Sequence, residues 1–229
     1  MGYCSICENL KSMAKGAKTT KQKDMNKKLL QDHREAQALE WRKVMHHREN
    51  SLKSSEQYIC LLIDGMDQKE ACLTHMHRLP KDINDECLVQ MHLVGCLAYN
   101  GTVKPHVFIT YPNVHNDPNL TVTVIQSVLM NWGHPLPPIL YIQLDNTARE
   151  NKNSTIFRYL SMLVEQGVFR KVKVNFLLVG HTHDHIDYIF STLSTQLSQY
   201  DAFTLQKLFD VICDAYTPCP NVLHLREIY

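Results

Sequence analysis

The sequence predicts an α/β fold: a mixed sheet of five strands with helices on both faces, preceded by a helical arm. Three observations lead there. Apolar runs stop on acids three times, Ile59-Cys60-Leu61-Leu62-Ile63 on Asp64, Ile139 to Leu144 on Asp145, and Phe176-Leu177-Leu178-Val179 on the segment Gly180-His181-Thr182-His183-Asp184-His185-Ile186-Asp187. Asn100-Gly101 separates two apolar runs, which is the strongest short-range signal for a two-residue hairpin turn. Beyond the hairpin, apolar spacing alternates between strand-like and helix-like stretches.

The chain has 229 residues and 44% hydrophobic content, enough for one substantial core plus an extension. Formal net charge is only +1, but its distribution is uneven. Residues 1 to 57 hold 12 Lys/Arg against 7 Asp/Glu, and the remainder holds 12 against 16. A basic arm that meets a polyanion, beside a domain that concentrates carboxylates, fits that polarity. No apolar run reaches the roughly 18 residues of a membrane span, and the start lacks a signal-peptide core. The expectation is an intracellular protein with no membrane partner. Most of the eight cysteines are expected to be reduced, and only Cys4-Ser5-Ile6-Cys7 has metal-like spacing. Two Cys and His33 on the following helix are a candidate zinc set, with His46 or His47 as other donors.

In chain order, residues 22 to 50 carry Met25, Leu29, His33, Ala36, Leu39 and Val44 at mostly helical spacing and predict one long, surface-biased helix. The first strand is expected over Tyr58 to Asp64. Leu88 to Tyr99 and Thr102 to Tyr111 form the hairpin, in which Pro105 suggests an edge position. A helix capped by Asn119 runs to about Trp132, and Pro135, Pro137 and Pro138 lead into the strand ending on Asp145. A helix from about Asn153 to Gln166, a strand from Val168 to Val179, a helix from Thr182 or Asp184 to Gln199, and a last helix capped by Asp201 to Thr204 follow. The order βββαβαβα is that of the ribonuclease H-like fold. The expected organisation is an arm over 1–57, a catalytic core over 58–200, and a C-terminal helix and tail over 201–229 that belong to a longer protein.

In that order Asp64 and Asp145 sit on adjacent central strands. Two carboxylates about 4 Å apart repel by roughly 4 kcal/mol at an effective dielectric near 20, so a cation between them is expected. All-oxygen ligands suit Mg²⁺ or Mn²⁺, and a third acid, Asp187, completes a site for two ions, with Asp184 as an additional metal ligand. Each residue also has a plain structural role available. Asp64-Gly65 is a common turn, Asp145-Asn146 is a good helix cap, and a single histidine such as His181 is more often bonded to backbone than to a metal. The coincidence of three strand-terminal acids in the right element order favours the site.

Asp64-Gly65-Met66-Asp67-Gln68-Lys69, Leu79-Pro80, Leu144-Asp145-Asn146, Glu150-Asn151-Lys152-Asn153 and Val179-Gly180-His181-Thr182-His183, with Asp187 and Phe190, resemble an uncharacterised, transposon-derived eukaryotic family. Its core is similar to the three-acid catalytic domains of cut-and-paste transposases and integrases. The resemblance implies phosphodiester cleavage and strand transfer on DNA, with Asp64, Asp145 and Asp187 as the three acids. It also implies that His181 positions the scissile phosphate or shuttles a proton, and it implies nuclear location and a homo-oligomeric active form. His185 departs from the family pattern, in which many members have an acid there, so the resemblance assigns no auxiliary metal role to that position. Lys152 and Asn151, at the start of a helix, are expected to contact DNA phosphates; the plain reading of Lys152 is a solvated surface lysine. Two competing readings remain. One is a domesticated or truncated remnant that binds DNA or protein without catalysis. The other is a calcineurin-like metallophosphoesterase, suggested by Gly-His-Thr-His but lacking that family's Asp-x-His near the first strand, its Gly-Asp-x-x-Asp and its Gly-Asn-His.

Overall fold

The computed structural model describes residues 4–67, 71–84, 88–133, 135–176, 184–226 and 228. The arm consists of α1 (Ser5–Lys15) and α2 (Thr20–Lys53). Thr19 caps α2, its hydroxyl accepting from the Gln22 N–H, and the helix continues for 34 residues, longer at both ends than the periodicity predicts. Helix α1 was not expected, although Ile6, Cys7, Leu10, Met13 and Ala14 recur at helical spacing within its eleven residues.

The sheet begins with β1 (Tyr58–Gly65), and a short ribbon of β2 (Cys72–Leu73) and β3 (Val89–Gln90) stands apart from it. The hairpin is β4 (His92–Asn100) and β5 (Thr102–Thr110), with Gly101 at φ +68° where the turn needs a positive angle. Helix α3 (Pro118–Met130) is capped by Asp117 rather than by the expected Asn119, with Pro118 in the first turn. Then come β6 (Ile139–Leu144), α4 (Ser154–Glu165) capped by Asn153, β7 (Lys171–Phe176), α5 (His185–Leu197) capped by Asp184, α6 (Leu205–Ala215) capped by Thr204, and β8 (Asn221–His224).

The main sheet has six strands in the order β7-β6-β1-β4-β5-β8, so the expected five-stranded count is corrected by one. Strands β7, β6 and β1 are mutually parallel, and β4 is antiparallel to both β1 and β5. The extra strand β8 lies parallel to β5 over His106 to Ile109, immediately after Pro105, the one residue there with no N–H to give. A four-residue strand flanked by proline and arginine has no alternation long enough to be read from sequence.

Two apolar clusters sandwich the sheet. Alternation along β1 sends Ile59, Leu61 and Ile63 to the face covered by α3 and α4, and Cys60 and Leu62 to the face covered by α5 and α6. Along β6, Leu140, Ile142 and Leu144 join the first face, while Ile139 and Tyr141 join the second. Among the described residues, neither cluster draws a side chain from 4–53. The arm meets the core through the C-terminal half of α2, where Val44, Arg48 and Ser51 are buried and His47 stacks on Tyr141 with ring centroids 3.9 Å apart. Cys213 and Cys219 form a disulfide between α6 and the approach to β8, an exception to the expected reduced cysteines; Cys4, Cys7, Cys60, Cys72 and Cys96 are outside disulfides. Among the described residues no helix is long and apolar enough to cross a membrane.

Candidate functional site

Three parallel neighbours end at one edge of the sheet, and two of them deliver acids there. Strands β1 and β6 pair through Leu62 and Gln143, so continuing the register by two residues sets Asp64 beside Asp145. The alternation that sends Cys60 and Leu62 toward α5 also sends Asp64 there, and the same rule applies to Asp145 after Tyr141 and Gln143. Both carboxylates thus belong to the face on which α5 packs, and Asp64 and Asp145 line one cleft with Gln143, Asp184 and Ile186.

The first turn of α5 supplies two further acids, each with a defined task. The Asp184 side chain accepts from the His185 N–H at 2.6 Å and from the Asp187 N–H, and the Asp184 N–H donates to Asp187 Oδ2 at 2.7 Å; the Asp184–Asp187 exchange is a reciprocal capping box. Arg48, reaching across from α2, grips Asp184 with both terminal nitrogens, Nη1 to Oδ1 at 2.6 Å and Nη2 to Oδ2. Both side chains are 3% exposed, and the guanidinium lies 5.4 Å from the Tyr99 ring centroid. Asp184 was expected as an additional metal ligand. Its two oxygens are instead engaged by a bidentate arginine and backbone N–H groups, so that expectation is corrected to a structural role. Asp187 lies on the same turn, three residues along, where its Oδ2 accepts from the Asp184 N–H.

Electrostatics single out Asp64. Burial pushes its carboxyl up to about 7, the Gly65 N–H at 2.8 Å works against that rise, and the charges of Asp145, Asp187 and Asp184 add to it. Its proton is therefore held by desolvation first and by three neighbouring acids second. Glu150 also sits above the usual carboxylate range, through burial, with Arg149 opposing and Asp145 adding to the rise.

Residues 81–229 match a family model described as a domain of unknown function, DUF7869. The chain belongs to this family. The DUF7869 match takes in Asp145, Asp184 and Asp187 and starts after Asp64. No curated protein and no solved structure matches the chain.

The structure separates the two residues expected to face DNA. Lys152 is exposed, its ammonium 5.4 Å from the Phe176 ring centroid. Asn151 is buried; it accepts from the Thr121 hydroxyl at 3.0 Å and donates to the Thr147 hydroxyl at 3.2 Å, tying the approach to α4 onto α3. Its assignment to a nucleic-acid surface is corrected, because a side chain saturated inside the fold cannot reach a phosphate. The expected roles of His181 and His183 fall outside the described residues. Cys4, Cys7 and His33 do come together, with their ligand atoms within 4.8 Å of one another.

Three residues of this site were not anticipated. Arg48 resembles any other charge of a basic helix, and only its distance of 136 positions from Asp184, closed by the fold, reveals the pair. Gly95 pairs with Asp64 across β1 and β4, and a Cβ there would meet Ile186 Cδ1 and Phe190 Cζ at 3.0 Å. Gln143 is 3% exposed and accepts from Asn175 at 3.0 Å on the next strand, which closes the floor of the cleft with a polar pair. The signal available for Gly95 was a glycine inside a strand pattern, which marks a close approach.

Proposed function

We propose that this chain is a transposase- or integrase-like domain that cleaves DNA phosphodiesters with divalent metal, its acids being Asp64, Asp145 and Asp187. The observation that carries the reading is the placement of Asp64 and Asp145 side by side at the ends of neighbouring parallel strands, on the face where α5 brings Asp187. Ligands of open α/β sheets gather outside the C-terminal ends of parallel strands, and this cleft is at such an edge. The β7-β6-β1-β4-β5 order, with β4 antiparallel to both neighbours, supports a ribonuclease H-like identity for the sheet, with β8 as an addition.

The donor set fits Mg²⁺ or Mn²⁺. Its members are carboxylates, and Asp64 is half-buried beside like charges, which favours either a proton or a cation at that position. Arg48, the cation nearest to this chemistry in the capping turn, is engaged with Asp184. When bound, two such ions activate an attacking hydroxyl or water and stabilise the leaving oxygen of a phosphodiester. The chain's own residues hold and orient. Asp64 and Asp145 are fixed by the sheet, Asp187 by the capping box, and the α5 turn by Arg48. Exposed Lys152 offers a positive charge to a phosphate beside the cleft. Nuclear location and DNA as the partner follow from this reading and from the basic arm.

The test is nicking of supercoiled DNA with Mn²⁺. Asp64→Ala, Asp145→Ala and Asp187→Ala each reduce it to the metal-free background, while Asp184→Asn with Arg48→Gln leaves partial activity in whatever fraction folds. Nicking that survives all three alanine changes overturns the assignment. DNA binding without any nicking by the wild-type chain is instead the behaviour of a non-catalytic remnant.

A further inference from the structure

A second metal centre is built where the arm folds back on itself. Cys4 is the N-cap of α1, its Sγ accepting from the Cys7 N–H at 3.4 Å, so the first turn of the helix sets both sulfurs on one side. His33, about two fifths of the way along α2, brings Nε2 to 3.4 Å from Cys4 Sγ. The three ligand atoms lie within 4.8 Å of one another. Zinc bonds of about 2.3 Å to sulfur and about 2.0 to 2.1 Å to nitrogen give a tetrahedron whose edges are about 3.6 to 3.8 Å. The 3.4 Å between Cys4 Sγ and His33 Nε2 is close to such an edge, and no separation among the three atoms exceeds it by more than about 1 Å.

Packing points the same way independently. The side chains of the two large apolar clusters come from β1 onward, so α1 has no share in either. Cys4 and Cys7 are 8% and 7% exposed, and Asn26 is the buried residue of the N-terminal half of α2. An eleven-residue helix is too short to persist in water by itself, and Cys7 is the one buried side chain within α1, so little apolar area holds it. Small units with too little core are commonly fastened by a structural metal.

We propose that Cys4, Cys7 and His33 bind one Zn²⁺, with a water or a donor from outside this trio at the fourth position, and that the ion fastens α1 to α2. The site is separate from the acidic cleft in sequence, in ligand chemistry and in metal preference, since thiolates select zinc where carboxylates select Mg²⁺ or Mn²⁺. It stands or falls without reference to nuclease activity.

The experiment uses the whole chain, purified under a thiol reductant and dialysed free of loose metal. Metal analysis is expected to find equimolar zinc in the wild type and in Asp64→Asn/Asp145→Asn, and none in Cys4→Ser/Cys7→Ser. Titration of the zinc-stripped wild type with Co²⁺ is expected to give the ultraviolet thiolate charge-transfer band and the visible bands of a tetrahedral site, both weakened in His33→Ala. Chelation should expose Lys11 and Lys15 to trypsin while leaving the near-ultraviolet dichroism of the sheet core unchanged. Reduced wild-type protein with neither zinc nor a Co²⁺ thiolate band overturns the proposal, as does undiminished zinc in the double cysteine variant. Because the Co²⁺ titration needs no mutation, the proposal remains open to refutation even where the cysteine variant fails to fold.

Discussion

At Asp64 a single carboxyl couples stability to function, and the sign of that coupling is testable. Its folded pKa is raised to about 7 from an ordinary value of 3.8, by burial first and by Asp145, Asp187 and Asp184 after it. A raised folded pKa means that the native state binds the proton more tightly than the unfolded chain. The stability this contributes is complete below about pH 4 and is lost as pH rises through about 7. In the absence of divalent metal, Asp64→Asn should therefore melt higher than wild type at pH 8, by a free energy on the order of a few kcal/mol, and alike at pH 4. Mn²⁺ should raise the wild-type melting temperature more at pH 8 than at pH 6, because below about 7 protons compete for the same oxygens. A wild type and an Asp64→Asn variant with parallel stability curves from pH 4 to 8 would refute the half-buried, acid-crowded description of this side chain. The acid itself was legible in the sequence as the end of an apolar run. The approach of Asp145 and Asp187 was an expectation from the element order, but the burial that lifts the Asp64 carboxyl was not legible, because it depends on how α5 packs on the sheet.

At the scale of elements, the first turn of α5 is held from two sides. Arg48 clamps the cap from α2, and Gly95 allows Ile186 and Phe190 to settle against the sheet beside Asp64. Removing one partner of a buried ion pair leaves an uncompensated charge, which costs about 3 to 5 kcal/mol. Arg48→Met should destabilise the chain by that much in denaturant unfolding, and Arg48→Met/Asp184→Leu should recover most of it, giving a large coupling energy in a double-mutant cycle. Additive effects would mean that the two side chains do not act as a pair. Gly95→Ala should cost about 1 to 3 kcal/mol through overpacking and should also depress nicking, since relief of the 3.0 Å contacts displaces the turn that carries Asp187. Strands β1, β4, β5, β6 and β7, the Asn100-Gly101 hairpin and the four core helices were legible because each has apolar periodicity or turn chemistry of its own. Arg48, Gly95, β2 and β8 were not, because what defines each of them is a neighbour rather than a local pattern, while α1 had a helical pattern too short to stand out.

At the scale of the whole molecule, the chain divides its labour between an apolar sandwich and a charged arm. The C-terminal half of α2 packs against the sandwich through Val44, His47, Arg48 and Ser51, while Lys15, Lys18, Lys21, Lys23, Lys27 and Lys28 crowd the other end, all exposed and interrupted by one acid, Asp24. At 1.5 Å per residue, the 34 residues of α2 span about 50 Å, so this basic block stands well away from the turn where Arg48 grips Asp184. A positive surface far from the cleft suits a tether that holds a DNA duplex while a different stretch is cut. Each phosphate neutralised by a lysine releases condensed counterions, so the logarithm of affinity falls with the logarithm of salt by about 0.9 per contact. Replacing Lys21, Lys23, Lys27 and Lys28 by alanine should weaken duplex binding most at low salt and make the salt slope shallower by up to about 3 to 4. The same variant should keep the Mn²⁺ stabilisation that depends on Asp64, because none of the four lysines contributes to the cleft. If the salt slope is unchanged, the arm is a solvated helix and DNA must be held elsewhere. If the slope falls and Mn²⁺ stabilisation disappears with it, the arm and the acid site are one surface rather than two, and the division of labour drawn here is wrong.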